Sequence, residues 1–573
     1  MFTSSFAALH RSRLLAPLAA AILLAGSPGW AASAAADDPP VGWWRDATFY
    51  EIFVRSFADA HDGPLAGDGV GDLQGIIDHL DYLNDGRGAA GSSLGVTALW
   101  LMPIQPSPSY HGYDVTDYFA VNPLYGDVAL MRKLVAAAHR RGLRVIVDLV
   151  LNHASAQHPR FQQSLSRDPA QAAAARRWFR FADAPEDLAG PWGARAWHPA
   201  ANGGFYYGVF SAEKPDWNLR EPAVTEHHRR VAAFWLQDVG VDGFRLDAVR
   251  YFIETDGQLQ DTEETRRWLR DFTAYCHSLK PGAFVIGEDT ADLPEVARCI
   301  RGGSLDSAFE FDLAKATIES VRLHTPALLV QTLGRLRGLY GDDCPWATFL
   351  SNHDQERTLT QLDGDPAAAR LAAGLLFTLP GVPFVYYGEE LGLSGAKPDP
   401  ELRTPLPWTA EAPNAGFTAP GVKPWHALTG DIAHANVATE AADPASLLAW
   451  YRRLVRLRAT SPALRHGVPA DLAADDRQIY AALRETEDEA VLILANLTTR
   501  PKAGPVLTLG PSRIRPAWSM REEIAGANLP RPPLTDDGGF VRWVPLAELA
   551  PESVYVIRWV RPAASARGDA PHG

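Results

Sequence analysis

The chain has 573 residues, 46% of them hydrophobic and 10% aromatic, so it can bury more than one core, and two or three domains are expected. Its formal net charge of −14 comes with no clustered Lys/Arg segment, which argues against a nucleic-acid partner held through its phosphates and leaves a neutral polymer as a compatible one. The three cysteines, Cys276, Cys299 and Cys344, allow at most one disulfide and exclude a cysteine-stapled scaffold.

At the N-terminus, Arg11 and Arg13 precede an apolar run from Leu14 to Ala25, and Ala32-Ser33-Ala34 then offers small residues for cleavage. This is the pattern of an export signal over residues 1–34. A run of about twelve apolar residues is too short to cross a ~30 Å hydrocarbon layer. No Cys follows it to carry a lipid. The mature protein is therefore expected in the periplasm or the medium, without a membrane anchor and as a monomer. From Thr48 onward the chain alternates β-rich runs with helical patterns. The runs are TFYEIFV, VTALWLMPI, LRVIVDLVL, VDGFRLDAV, AFVIGE, SAFEFDL, WATFLSN and VPFVYYGEE. Between them lie helical segments such as DVALMRKLVAAAHRRG, where Met131, Leu134, Val135 and Ala138 share one face. Eight such units predict an α/β fold, a (β/α)8 TIM barrel over 43–153 and 223–465, with its active site at the C-terminal ends of the strands. The Gly-, Pro- and Trp-rich stretch 154–222 is too long for a barrel loop and reads as a subdomain inserted after the third strand. Beyond SLLAWYRRLVRLR the pattern changes to short alternating strands, QIYAALR, EAVLILANL and SVYVIRWV, which predict a C-terminal all-β sandwich over 466–560, followed by a disordered tail, 561–573.

Four segments place carboxylates or histidines where barrel strands end: VIVDLVLNH, GFRLDAVRY, FVIGED and FLSNHD. They supply Asp148, Asn152, His153, Arg245, Asp247, Glu288, His353 and Asp354. Cleaving a glycosidic bond with retention needs one carboxylate as nucleophile and a protonated carboxyl as general acid, ~5 to 5.5 Å apart. Asp247 and Glu288 end the fourth and fifth strands, and neighbouring strands ~4.8 Å apart bring such side chains face to face. Arg245, two residues before Asp247, points to the same side and can keep that carboxylate ionised. Any one Asp-His pair taken alone reads equally as a cap or a core hydrogen bond. In the loop after the first strand, SFADAHDGPLAGDGVGDLQG, acidic residues alternate with Gly as a hard cation requires, and a Gly-rich turn with solvated acids is the alternative.

Together and in this order, the four segments resemble the signature regions of the α-amylase family, glycoside hydrolase family 13. The resemblance runs from Trp43 to Val560 through FYEIFVRSF, SPSYHGYDVTDY, GVDGFRLDAV, NHDQER and FVYYGEE. It is closest to subfamily 36, the α-amylases intermediate between oligo-1,6-glucosidases and neopullulanases. It implies that Asp354 is a third carboxylate gripping ring hydroxyls, that His153 and His353 hydrogen-bond the sugar, and that Tyr113 stacks on it. It also implies that Arg403 lies beside the bound sugar, while Asp148 supports the site. Asp59, Asp68 and Asp72, with the carbonyl of Val70, resemble a structural Ca2+ loop. Here that loop is longer, His61 stands at a usual ligand position, and Asp62 is the substitute ligand. KPDWN replaces the MPDLN of relatives, and Arg250 and Tyr251 replace a Lys-His pair. The function implied is an exported retaining hydrolase of α-1,4-glucosidic bonds in starch-like glucans and maltooligosaccharides. Tyr110, where exo-acting relatives carry Asp, favours endo action; the alternatives are an exo-α-glucosidase or oligo-1,6-glucosidase, and a transglycosylase or isomerase using the same carboxylates. A non-catalytic relative with a membrane helix is disfavoured, because all three carboxylates are present and no such helix is.

Overall fold

The β-rich runs pair in parallel because helices cover their outer faces, which leaves strands apolar on both sides. The computed structural model describes residues 38–185, 189–255 and 257–562; the expected export signal, and residues 563–573 of the expected tail, lie outside them. In chain order the strands up to the last of the barrel are β1 (Phe49–Ile52), β2 (Ala98–Leu101), β3 (Arg144–Leu149), β4 (Phe181–Ala182), β5 (Trp197–Pro199), β6 (Phe205–Tyr207), β7 (Gly243–Leu246), β8 (Phe284–Gly287), β9 (Ser307–Ala308), β10 (Ala347–Thr348) and β11 (Val382–Tyr386). Eight of them form one parallel sheet in the order β10-β11-β1-β2-β3-β7-β8-β9. A parallel bridge between Phe309 and Ala347 joins its two edges, with Glu310 N donating to Ala347 O at 3.1 Å. The eight runs read from the sequence are these eight strands. Inside the barrel, Phe49 and Phe384, opposite each other in register, stack with centroids 4.2 Å apart, and Trp100, Ile146, Phe284, Ile286 and Phe309 belong to the same core cluster.

Helices begin where the sequence supplies caps. Asp127 accepts from Leu130 N at 2.8 Å, and the helix Val128–His139 buries Met131, Leu134, Val135 and Ala138. After β3 the chain leaves the barrel and forms a small antiparallel sheet, β4-β6-β5. It returns through Asp216 and Trp217: Trp217 N donates to Asn152 O (3.0 Å), and Asp216 bridges to His153.

After the barrel, a five-stranded and a three-stranded antiparallel sheet face each other across Leu492, Leu494, Phe540, Trp543 and Trp559. Here the structure departs from a simple alternating pattern. The strand Glu489–Asn496 is buried at every position, because its two faces serve two cores. Leu492 and Leu494 belong to the sandwich, while Val491, Ile493 and Ala495 join the barrel core. On that side a Cβ on Gly374, in the helix Pro366–Thr378, would meet Val554 Cγ2 at 2.8 Å, so the helix lies close against the sheet. All three cysteines are free.

Candidate active site

Side chains two residues apart on a strand share a face, so one inward row carries both the barrel core and the site above it. On β1, Phe49 in the core is followed by Glu51; on β3, Ile146 by Asp148; and beyond β8, Ile286 by Glu288. On β7 the row runs Gly243, Arg245 and continues just beyond the strand with Asp247. A Cβ on Gly243 would lie 2.0 Å from Phe284 O, so close approach of β7 to β8 requires glycine there.

Arg245 is 1% exposed and holds the cluster together. Its Nη1 donates to Asp247 Oδ1 at 2.8 Å and to the two oxygens of Asp148 at 3.0 and 3.1 Å, while Nη2 lies 2.8 Å from Glu288 Oε2. The rings of Trp100 and Tyr113, with centroids 5.3 and 5.7 Å away, cover the guanidinium and keep water from it. A buried cation of this kind is tolerable only because carboxyl groups surround it. Immediately after Asp247, Ala248 adopts a left-handed conformation (φ 50°, ψ 39°), which a side chain with a Cβ disfavours. The turn directs its N–H at Glu288 Oε2, 3.1 Å away. Burial pushes the Glu288 carboxyl up to about 7; the charges of Asp247 and Asp354 act in the same direction, and Arg245 opposes them.

A second network carries the third carboxylate. Arg403 Nη2 donates to Asp354 Oδ1 at 2.7 Å and lies 3.2 Å from Asp399 Oδ2, while Nε donates to His353 O at 2.9 Å. Burial alone would raise Asp354, but His353 and Arg403 hold its carboxyl well below the ordinary range. His353 itself is pushed up to about 10: burial opposes its charge, and the carboxylates of Asp354 and Glu51 overcome that. Its Nδ1 donates to Glu51 Oε1 (2.6 Å) and its Nε2 to the Tyr113 hydroxyl (2.7 Å), which in turn donates to Asp148 Oδ2 (3.0 Å).

These groups border a cavity of about 480 Å³ at the C-terminal ends of the strands. Its walls include Asp247, Glu288, Asp354, Arg403, Tyr113 and His153, so the structure brings together six of the eight residues expected to act on or bind a sugar. Arg245 lies beneath the wall rather than on it. His353 is 0% exposed, with its ring nitrogens bonded to Glu51 and the Tyr113 hydroxyl, and it stands behind Tyr113 and Asp354 rather than among the cavity-lining side chains. His153 does reach the cavity; burial holds it at about 4 and so neutral, and its Nε2 donates to the Tyr113 carbonyl at 2.8 Å. Glu51 and Asp399 were not among the expected residues. Glu51 is the lone charge within the apolar run FYEI, a signal that could have found it; Asp399 opens a one-turn helix, Asp399–Leu402, in a polar, Pro-containing stretch with no such contrast.

The acidic loop is built differently. Asp59 Oδ1 accepts from Gly67 N (3.0 Å), and Oδ2 accepts from Gly69 N (2.9 Å) and the Thr418 hydroxyl. Asp72 accepts from Ala60 N (3.0 Å) and, as a helix cap, from Gly75 N (2.8 Å). Asp68 accepts from its neighbour Val70 N (2.8 Å), and Asp62 is exposed. Peptide dipoles thus point their positive ends into the space a cation would need, and no group of three or more His, Cys, Asp or Glu among the described residues is placed to hold a metal. The expected Ca2+ ligand set, Asp59, Asp62, Asp68, Val70 and Asp72, does not fit the ion in this arrangement.

Comparison with known proteins agrees with this architecture. The profile described as alpha amylase, catalytic domain, matches residues 51–467. Alpha-amylase 3 of Dictyoglomus thermophilum is 37% identical over 459 residues, covering 79% of this chain and 85% of that protein. The trehalose-6-phosphate hydrolase of Escherichia coli is 30% identical over 524 residues, covering 80% and 91%. Among solved structures, the α-amylase from H. orenii superposes with a TM-score of 0.75 at 33% identity, covering 90% of this chain and 99% of that one. The trehalulose synthase MutB from Pseudomonas mesoacidophila gives 0.73 at 27%, covering 91% and 100%. On fold, strand-end carboxylates and sequence alike, the chain belongs to the α-amylase family, glycoside hydrolase family 13.

Proposed function

We propose that the protein is an exported retaining hydrolase that cleaves α-1,4-glucosidic bonds inside starch-like glucans and maltooligosaccharides. One observation carries the chemistry: Asp247 and Glu288 bind the two ends of one guanidinium, and Glu288 keeps its proton to about pH 7. One shared guanidinium suits the short separation of a retaining pair better than the ~6.5 to 9.5 Å of an inverting one, which must admit a water between the carboxyls.

Asp247 attacks the anomeric carbon as Glu288 gives its proton to the glycosidic oxygen; the C–O bond breaks and the leaving sugar departs as an alcohol. Glu288, now ionised, takes a proton from water, whose oxygen attacks the anomeric carbon and releases Asp247. Arg245 pairs with Asp247 throughout. Asp354, anchored by Arg403, accepts hydrogen bonds from ring hydroxyls as positive charge develops on the sugar.

Internal cleavage rests on Tyr110. It brings a phenol, 3.5 Å from Arg403 Nη1, to the position where a carboxylate would recognise a chain end. The relative named Alpha-amylase 3 points the same way. Exo action is the second reading, favoured by Asp399, whose carboxylate lines the cavity beside Arg403. Export rests on the N-terminal sequence pattern, and no helix among the described residues is long and apolar enough to cross a membrane. The deciding experiment compares early products from two maltoheptaosides, one free and one blocked at its non-reducing end. Cleavage of both into short oligosaccharides is expected. Glucose released from the free one alone would make the enzyme exo-acting, and new longer sugars without net hydrolysis would make it a transglycosylase.

A further inference from the structure

Among the cations on the cavity wall, all but one have an acidic partner. Arg250 pairs with Asp261 (2.5 Å), Lys397 with Asp399 (2.5 Å), and Arg403 with Asp354 (2.7 Å). Lys214 also lines the cavity, is only partly exposed, and has no ion-pair or hydrogen-bond partner for its ammonium among the described residues. The titratable groups that feel its charge are His111 and His153. Burial first, and Lys214 second, hold both at about 4, so neither shares the positive charge.

The backbone around Lys214 is fixed. Its N–H closes a turn onto Ser211 O (3.2 Å), Ala156 N donates to Glu213 O (2.7 Å), and Ala154 N donates to Pro215 O (3.0 Å). Asp216, two residues on, is 4% exposed and accepts from Asn152 Nδ2 (3.1 Å) and Val209 N (3.1 Å). The inserted subdomain is thereby clamped to the end of β3, and a flexible cationic side chain stands on a rigid base. In the same segment Phe210 sits edge-on to His153 (5.4 Å) and to Tyr251 (5.3 Å), all three on the cavity wall. A lysine presented this way, on the cavity wall and with no carboxylate paired to its ammonium among the described residues, is open to a ligand. An ammonium donating to a ligand oxygen makes a charge-assisted hydrogen bond, about twice the strength of a neutral one.

We infer that Lys214 is a specificity-determining residue whose ammonium donates to hydroxyl oxygens of the neutral sugar chain lying against the inserted subdomain. The inference rests on the reading of the cavity as a glucan site and adds the residue that selects within it. It gives the lysine of KPDWN a contact that the methionine of MPDLN cannot make.

The test uses the full chain carrying Asp247→Asn, so that binding is read without turnover, with maltoheptaose as the titrant in calorimetry. Adding Lys214→Met should weaken binding about tenfold, and adding Lys214→Arg should restore it to within about threefold, since the cation and its donors return. In the otherwise native enzyme Lys214→Met should raise KM about tenfold while kcat falls less than threefold, with an unchanged melting temperature. Equal binding with lysine and methionine overturns the assignment of Lys214 and leaves the glucan reading intact. No maltoheptaose binding by the Asp247→Asn protein overturns both. Tighter binding of maltose 6-phosphate than of maltose, abolished by Lys214→Met while maltoheptaose affinity stays the same, overturns the neutral-sugar assignment in favour of an anion contact.

Discussion

Two groups of carboxylates stand near the C-terminal ends of barrel strands, and they differ in what opposes their charge. Around the cavity, Asp247, Asp148 and Glu288 meet the guanidinium of Arg245, and Asp354 meets Arg403. In the loop after β1, Asp59 and Asp72 meet mainly peptide N–H groups of their own loop. A guanidinium approached from one side leaves other oxygens facing the cavity, where they can take a proton or meet a carbon. N–H groups that wrap a carboxylate exhaust it and fix the chain around it. On the cavity wall, opposite charge from a side chain therefore accompanies the reactive acids Asp247, Glu288 and Asp354, whereas a carboxylate with both oxygens engaged is structural, whether by the backbone, as in Asp59 and Asp72, or by Arg245 and Tyr113, as in Asp148.

The largest effect that would sharpen this contrast is the loss of Asp247. Asp247→Asn keeps the shape and a hydrogen-bonding oxygen toward Arg245 but removes the nucleophile, so kcat/KM on maltoheptaose should fall at least about a thousandfold, ~4 kcal/mol of transition-state stabilisation. The melting temperature should change little. Retention of more than a few per cent of activity would transfer the nucleophile's role to another carboxylate and break the contrast at its first term.

Protonation gives a smaller, graded effect. Burial and the neighbouring negative charges raise Glu288 to about 7, and the reactive form is the protonated one. Raising the pH through 7 removes that proton, so kcat/KM should fall tenfold per pH unit above a midpoint near 7. The profile of the native enzyme reads this directly. An alkaline limb with its midpoint below pH 5 would mean that Glu288 is not held in its protonated form, and the acid's role would have to be reassigned.

Much of this was legible in the sequence, and the reasons are local. Barrel strands announce themselves as apolar runs, and the period of two that buries Ile286 also aims Glu288, so strand-end acids can be read in order. Arg245 was legible for the same reason. The position of His353 was not. Its neighbours in the chain are Asn352 and Asp354, but Glu51 and Tyr113, which fix its orientation, lie 302 and 240 residues away. The arrangement of the acidic loop was not legible, for a related reason. Its acids alternate with Gly as those of a cation loop do, in a loop longer than that of relatives, yet its closure depends on Thr418, 359 residues away from Asp59. It depends too on Gly69, whose φ of 81° and close approach to Lys423 O bring the two segments together.

The smallest expected effect tests the other half of the contrast. If N–H groups and a hydroxyl satisfy Asp59 and Asp72, the loop gains nothing from a divalent ion, and the melting temperature should be the same in a chelator as in excess calcium. The measurement discriminates because an ion bound only to the folded state contributes about 2.7 kcal/mol at a hundredfold excess over its Kd, enough to move a melting curve. Elemental analysis of dialysed protein should find no stoichiometric calcium. A lower melting temperature in the chelator would show that Asp59 exchanges its peptide donors for a cation. The loop would then have two arrangements, and enclosure by backbone would no longer mark a carboxylate as closed to ligands.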